Sequence, residues 1–397
     1  MAGTLSPQTI AVVKATAPVL AVHGAAITQT MYLKLFENPQ IAALFNQANQ
    51  KNGTQVNALA AAILAYARNI ENLGALAPAV ERIAQKHIGY AIQSDHYPYV
   101  ANALLAAITE VLGEGATPDI LSAWGEAYWF LADILKGREA AIRSDIMDIE
   151  GGWTDWRRFV VTDRRRESDI ITSFVLKPED GGKVVPHKSG QYLTLRFDEA
   201  DLPGAKRNYS ISSGPSADFY RITVKREPKG EASVFLHDHA EVGTVIECTP
   251  PAGDFFLSYK PARPVILLSG GVGLTPMVSM LETIAARHLD VPTYYVHGTT
   301  SRSTHALDAE VRELALRHGA TNVTTFYDTV DDASSEHCGF ITIDWLAANT
   351  PLADADVYLC GPRPFLHFFV RGLISAGVPS DRVHYEFFGP ADEALVA

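Results

Sequence analysis

Glu150-Gly151-Gly152-Trp153 is the point at which this chain changes character. The residues before it are rich in Ala and Leu, contain no Cys and have few β-branched runs, the composition of packed helices. After it come short alternating runs, then a Gly-rich turn between an apolar run and a helical pattern. A chain of 397 residues exceeds one ordinary core. A quieter seam at Pro261-Ala262-Arg263-Pro264 makes the expected domains 1–150, 151–262 and 263–397.

Composition narrows the class. A hydrophobic share of 47% with 20% charged residues describes a globular chain. The net charge of −12 is spread along the sequence, so no basic face for nucleic acid stands out. Cys248, Cys338 and Cys360 are odd in number and far apart, which argues for a reducing compartment and against a disulfide framework. The apolar run from Ala58 to Ala67 is too short to span a bilayer. The N-terminal apolar stretch lacks a basic start and is broken by Lys14, unlike a signal peptide. A monomeric cytoplasmic protein with no membrane span is the expectation.

Working back from the seam, Ser6-Pro7 reads as a helix start, with Ile10, Val13, Ala17 and Leu20 at helical spacing and Gly24 as a stop. A second helix follows through Ile27, Met31, Tyr32 and Leu35. Further helical patterns cover 53–70, 78–88, 97–112 and 118–146, the pattern of a globin-like or bundle core. His23, beside Gly24, reads as a helix C-terminal residue, and His96 as a solvated one. His87 differs, since Val80, Ile83 and Ala84 put it on an inward face; a core histidine and a ligand both fit that placement. Gln55 and Leu59 lie one turn apart and share a face. Trp129, large for its place on the last of these helices, would reshape a pocket.

These stretches resemble the globin domain of flavohaemoglobins. MYLKLFENP carries Tyr32 at that family's distal tyrosine, and LFNQANQKNGTQVNAL carries Phe45, Gln55 and Leu59 at its haem-packing phenylalanine, distal glutamine and distal leucine. IAQKHIGYAI places His87 as the proximal iron ligand of haem b, and the resemblance implies that Tyr97 and Glu139 join it in a hydrogen-bonded set. A neutral imidazole is the usual protein donor to haem iron, leaving the other face for a gas. Tyr32, helped by Gln55, would donate to bound oxygen, worth roughly 1.5–3 kcal/mol for a charged partner, or about ten- to hundredfold in release. Leu59 would restrict the space above the iron. Glu139 would make the imidazole more basic. Lys86, next to His87, would lie between haem and flavin.

Forward from the seam, 170–176, 191–197 and 220–224 are β-branched and aromatic runs punctuated by Gly and Pro, as in a barrel. Arg207-Asn208-Tyr209-Ser210 resembles the flavin signature of the ferredoxin reductase-like family. That likeness assigns Arg207 to the diphosphate of FAD, a task suited to a guanidinium fork, and Tyr209 and Ser210 to the isoalloxazine, with Tyr192 also on the flavin. Gly230-Glu231-Ala232-Ser233 matches a second phosphate-contacting turn through Ser233, although its neighbours Ala232 and Val234 depart from the family's valine and asparagine.

Val265-Ile266-Leu267-Leu268 runs into Ser269-Gly270-Gly271-Val272-Gly273-Leu274-Thr275-Pro276, where glycines and a helix N-terminus suit a phosphate. This resembles the same family's nicotinamide turn, with Gly270, Gly271 and Gly273 beside the coenzyme and Thr275 and Pro276 facing its ring. Cys360-Gly361-Pro362 resembles a second strand-end motif at that ring, which makes Cys360 a wall residue. His384-Tyr385-Glu386-Phe387-Phe388-Gly389-Pro390 matches the flavohaemoglobin C-terminal signature, with Phe388 over the flavin and Glu386 at the flavin or haem edge. Arg302 is a single basic residue for a 2′-phosphate, so of NADH and NADPH the reading leans to NADH.

The resemblance therefore implies an all-α globin domain, an antiparallel β-barrel FAD-binding domain and an α/β NAD(P)-binding domain. It implies a nitric oxide dioxygenase that turns nitric oxide and O2 into nitrate with electrons from NAD(P)H through FAD. A haem gas- or lipid-binding protein with an accessory reductase, and an alkyl hydroperoxide reductase, are the alternatives.

Overall fold

The computed structural model describes residues 4–45, 54–197, 202, 204–287, 290–328 and 337–388. These fall into two compact units, one up to Asp148 and the other Ile149–Phe388.

In the first unit Ser6 caps a helix by accepting from the backbone N–H of Thr9, with Pro7 in its first turn. That helix, Pro7–Phe36, continues without a break through Pro18 and Gly24. The stop expected at Gly24 is corrected, and His23 lies exposed in mid-helix rather than at an end. Gly24 is buried where the helix meets Thr54–Arg68, and a Cβ built on it would lie 3.6 Å from the Cβ of Ala60. Burial around that crossing outweighs the ~1 kcal/mol that a mid-helix glycine costs.

By length and composition alone Pro7–Phe36 is apolar enough to cross a membrane. Its side chains argue for a core helix instead. Val13, Leu20, Ile27, Met31 and Leu35 recur at helical spacing and are buried with Leu104, Ile108 and Trp124 of Tyr97–Leu112 and Pro118–Met147. Near its start Thr9 donates to the carboxylate of Glu126. The helix carrying His87, Ala77–Gly89, packs on Pro118–Met147 through Ala84, Ile88 and Ile142.

The second unit begins with a six-stranded antiparallel sheet of β1 (Arg157–Arg166), β2 (Ile171–Pro178), β3 (Tyr192–Phe197), β4 (Ala205–Ser210), β5 (Tyr220–Lys225) and β6 (Val245–Cys248), in the order β4-β3-β6-β1-β2-β5. A bridge between Ile211, just after β4, and Ile222 on β5 brings the two edge strands together and closes the sheet into a barrel. Phe159, Phe174, Leu193, Leu195, Tyr220 and Ile222 fill it, and Cys248 is buried on β6.

Then come β7 (Val265–Gly270), β8 (Thr293–Thr299), β9 (Thr321–Tyr327), β10 (His337–Cys338), β11 (Asp356–Cys360) and β12 (Val383–Glu386), parallel in the order β10-β9-β8-β7-β11-β12. Strand order reverses between β7 and β11, the place where open parallel sheets bind ligands. Val265, Ile266, Leu267 and Leu268 are all at 0% exposure, as a strand covered on both faces must be.

Candidate functional site

His87 is the only one of the three expected haem-side polar groups that meets solvent. Its side chain is 29% exposed, whereas Glu139 is at 0% and Tyr97 at 5%. His87 Nδ1 lies 2.7 Å from Glu139 Oε1 and 3.1 Å from Tyr97 Oη, and Tyr97 donates to the same carboxylate oxygen at 2.5 Å. A carboxylate only accepts, so the imidazole proton sits on Nδ1, and Nε2 carries the free lone pair. Burial and the Glu139 carboxylate push the Tyr97 phenol far above its usual range, which keeps it a donor. Two residues not foreseen hold this group. Tyr128 donates to the Tyr97 carbonyl at 2.7 Å, and Arg143, one turn beyond Glu139, reaches its Oε2 at 3.8 Å and donates to the Ile92 carbonyl.

Tyr32 is buried at 6%, edge-on to Phe45 with ring centres 5.7 Å apart, and Phe36 packs against both rings. Leu59 and Ile63 on Thr54–Arg68 are half-buried, as is Phe45. The Gln55 side chain lies outside the described residues. Lys86 is half-buried beside His87. Trp129 is 38% exposed, with its ring edge-on to that of Tyr128.

In the barrel, Arg207 and Tyr209 share one face of β4, with Ser210 buried on the other. The Arg207 guanidinium lies 4.0 Å from Glu231 at the start of the helix Glu231–Asp238. A fork of donors and a helix N-terminus thus stand together, a cradle for a diphosphate. The Ser233 hydroxyl is committed within the turn, donating to the Gly230 carbonyl at 2.9 Å and accepting from the Glu227 N–H at 3.1 Å. Tyr192 pairs with Ser210 across β3 and β4, and Gly253, at φ +115°, lies so close that a Cβ there would be 3.0 Å from the Tyr192 ring. Burial raises the Tyr209 phenol, leaving a neutral ring to cover a flat apolar one.

At the carboxyl edge of the parallel sheet, Ser269, Cys360 and Glu386 stand side by side on β7, β11 and β12. Gly271 takes φ +55° with open space where a side chain would be. Gly273 is in the opposite situation, since a Cβ on it would sit 2.2 Å from the Cys360 carbonyl oxygen. Only glycine lets the two strand-end turns meet. Thr275 is 2% exposed and donates to the Val272 carbonyl at 3.1 Å, with Pro276 buried next to it. Gly361 faces the Phe365 ring and Pro362 caps the helix Arg363–Ser375. Burial, with Glu386 nearby, drives the Cys360 thiol well above its usual range, so it stays protonated and is no nucleophile. Phe388 is 47% exposed; Gly389-Pro390 lies outside the described residues.

The barrel and the helix after the Gly-rich turn, Leu274–Ala286, are joined by polar contacts that no sequence pattern announces. His187 Nε2 meets the Ser213 carbonyl at 3.0 Å and Ser279 Oγ at 3.2 Å. Gly214 N–H donates to Glu282 at 2.6 Å, and Ser189 and Thr283 share a bond at 2.5 Å. Flavin-side strands and nicotinamide-side helix are thereby held in one register.

Taken together, the folds and sites define an oxidoreductase that couples a globin to a flavin- and pyridine-nucleotide-binding reductase. Residues 29–135 match the globin family, 158–257 the oxidoreductase FAD-binding domain and 267–371 the oxidoreductase NAD-binding domain. The chain is 64% identical over its whole length to a flavohemoprotein of Xylella fastidiosa, all of which it covers. It is 43% identical to a flavohemoprotein of Rhodopirellula baltica, with 98% of this chain and 99% of that one covered. The crystal structure of a flavohemoglobin from Malassezia yamatoensis, with bound FAD and heme, is similar over 98% of this chain and all of that one (TM-score 0.88, 28% identity). The FAD/NAD-binding domain of a nitric oxide dioxygenase from Vibrio cholerae is similar over 61% of this chain and all of that one (TM-score 0.54, 35% identity). The chain belongs to the flavohaemoprotein family, and its cofactors are haem, FAD and a nicotinamide coenzyme.

The residues fit those groups. A solvent-reaching imidazole with its Nδ1 proton held by a wholly buried carboxylate is a haem-ligand arrangement.

Proposed function

We propose that the chain is an NAD(P)H-dependent nitric oxide dioxygenase, producing two nitrates from two nitric oxide and two O2 for each coenzyme oxidised. The observation that carries this is the convergence of His87 and Tyr97 on Glu139 Oε1. When bound, the three groups supply hydride acceptance, the division of an electron pair into single electrons, and an iron centre for oxygen chemistry.

The chain's own side chains do the rest. His87 would offer Nε2 to the iron, with Glu139 holding the Nδ1 proton and so fixing the ring's tautomer. Tyr32 would supply a hydrogen-bond donor to a bound gas, a role the family likeness extends to Gln55, and Leu59 and Phe45 would keep that space apolar. Arg207, Ser233 and the helix at Glu231 would hold the diphosphate of FAD, while Tyr192, Tyr209 and Ser210 would frame the flavin. Gly270, Gly271 and Gly273 admit the coenzyme's phosphates, and Thr275, Pro276, Cys360, Gly361 and Pro362 wall its ring. Phe388 would cover the flavin ring, and because such ring contacts are worth only ~0.5–1.5 kcal/mol beyond burial, a second flat ring could take its place at small cost. Glu386 would stand at the flavin edge, and Lys86 lies next to the iron ligand His87 on its helix. Domains 1–150, 151–262 and 263–397 bind haem, FAD and NAD(P)H in turn, in a cytoplasmic monomer whose distal side also admits an apolar ligand such as a lipid.

The test is NADH oxidation by haem- and FAD-loaded protein under oxygen, with and without nitric oxide. Acceleration with stoichiometric nitrate is expected. Equal rates and no nitrate would refute the dioxygenase reading and favour reduction of hydroperoxides, which an electron-rich imidazole also serves.

A further inference from the structure

Trp129 has no part in the proposed oxygen chemistry, yet it is not isolated from the haem side. Its ring centre is 5.4 Å from that of Tyr128, whose hydroxyl donates to the Tyr97 carbonyl at 2.7 Å. The Lys136 ammonium lies 5.4 Å from the Trp129 ring centre and 6.0 Å from that of Tyr97, so both rings flank one cation. Tyr97 in turn lies 6.0 Å, ring centre to ring centre, from His87. A run of oxidisable rings thus leads from the iron's ligand, through a buried phenol, to an indole that is 38% exposed.

We propose that Tyr97 and Trp129 form a one-electron route that carries oxidising equivalents from the haem side to the surface when a hydroperoxide arrives and the flavin has no electrons to give. It rests on the assignment of the haem ligand to His87.

Proton placement decides which ring takes part first. A phenol gives up an electron readily only if its proton can leave in the same event. Tyr97 already donates to Glu139 Oε1 at 2.5 Å, so the proton crosses to that carboxylate as the electron departs. Tyr128 donates to a carbonyl, which does not take up a proton, and is therefore a bridging ring rather than a stopping point. Trp129 then supplies an electron to Tyr97, Glu139 returns the phenolic proton, and the exposed indole loses its own N–H proton to water. The Lys136 charge opposes oxidation of the indole, but Asp133, 2.7 Å from that ammonium, offsets it.

Electrons balance as follows. ROOH takes up two electrons and two protons and leaves as ROH and H2O. Each passage along the route supplies one electron and sends one indole proton to water, two of which meet the peroxide's need, and each oxidised Trp129 regains an electron and a proton from a thiol, two thiols giving one disulfide.

The experiment uses the full chain loaded with ferric haem and oxidised FAD, mixed with hydrogen peroxide without NADH and freeze-quenched for electron paramagnetic resonance. Protein carrying ring-deuterated tryptophan identifies the radical. A tryptophan-type signal is expected in the parent and its loss in Trp129→Phe, with Trp129→Tyr restoring a surface radical of tyrosine type. Faster haem bleaching per peroxide should accompany the loss. The absorption spectrum of the unreacted protein reports the haem assignment separately. An unchanged tryptophan signal in Trp129→Phe, or no tryptophan signal in the parent, would overturn the route.

Discussion

Two donors meet at one oxygen of Glu139, inside a core that excludes water from the carboxylate. Replacing it by Gln leaves an amide that accepts more weakly and carries no charge to stabilise the imidazole. Glu139→Gln is expected to lower haem affinity or turnover by roughly 10- to 100-fold, with the iron–histidine stretching frequency falling toward that of an unassisted imidazole. An unchanged frequency would show that Nδ1 is held by something else. Sequence spacing placed His87 on the inward face, but Tyr97 and Glu139 lie 10 and 52 residues away along the chain. No local pattern joins them; their roles were legible only through family likeness. Tyr128 was not legible even so, because a tyrosine that props a carbonyl has no sequence signature.

At the scale of elements, the helix start at Ser6-Pro7 stands where the capping residue puts it, since a side-chain cap acts on its own neighbours. The helix runs through Gly24, where the pattern suggests a stop, because tertiary burial overrides a propensity of ~1 kcal/mol. The room at that crossing gives a definite expectation. With 3.6 Å to Ala60, the added methyl of Gly24→Ala makes an ordinary contact, and the helix gains about 0.5–1 kcal/mol, read as a higher midpoint for the helical unit. Gly273→Ala should do the reverse. Its methyl would strike the Cys360 backbone, costing about 1–3 kcal/mol and slowing reduction of FAD by NADH, while the haem spectrum stays as it was. A variant with parent-like flavin reduction would mean the two turns part freely. Strand β1 was missed for a simple reason: only Phe159 and Val161 of its ten residues are fully buried, and its outer half is charged.

For the whole molecule, the reductase unit is tied together at a buried histidine. Burial pulls the His187 imidazole from 6.5 down to about 4. In an unfolded chain that ring takes up a proton near pH 6.5, whereas the folded unit refuses it until about pH 4. Its contribution is therefore intact above pH 6.5 and is lost as the pH falls toward 4, on the order of 3 kcal/mol over the window. Denaturant midpoints across that range should show the slope, and His187→Gln should flatten it; equal slopes would exclude His187 as the cause.

The three cysteines answer differently to solvent, Cys338 being exposed and Cys248 and Cys360 buried. That makes the chain its own unfolding clock. A mass-tagged alkylating reagent should add one label at once, at Cys338, and then wait. The second and third labels report when the barrel strand carrying Cys248 and the parallel strand carrying Cys360 open, so peptide masses taken over time rank the two halves of the reductase by how often each comes apart.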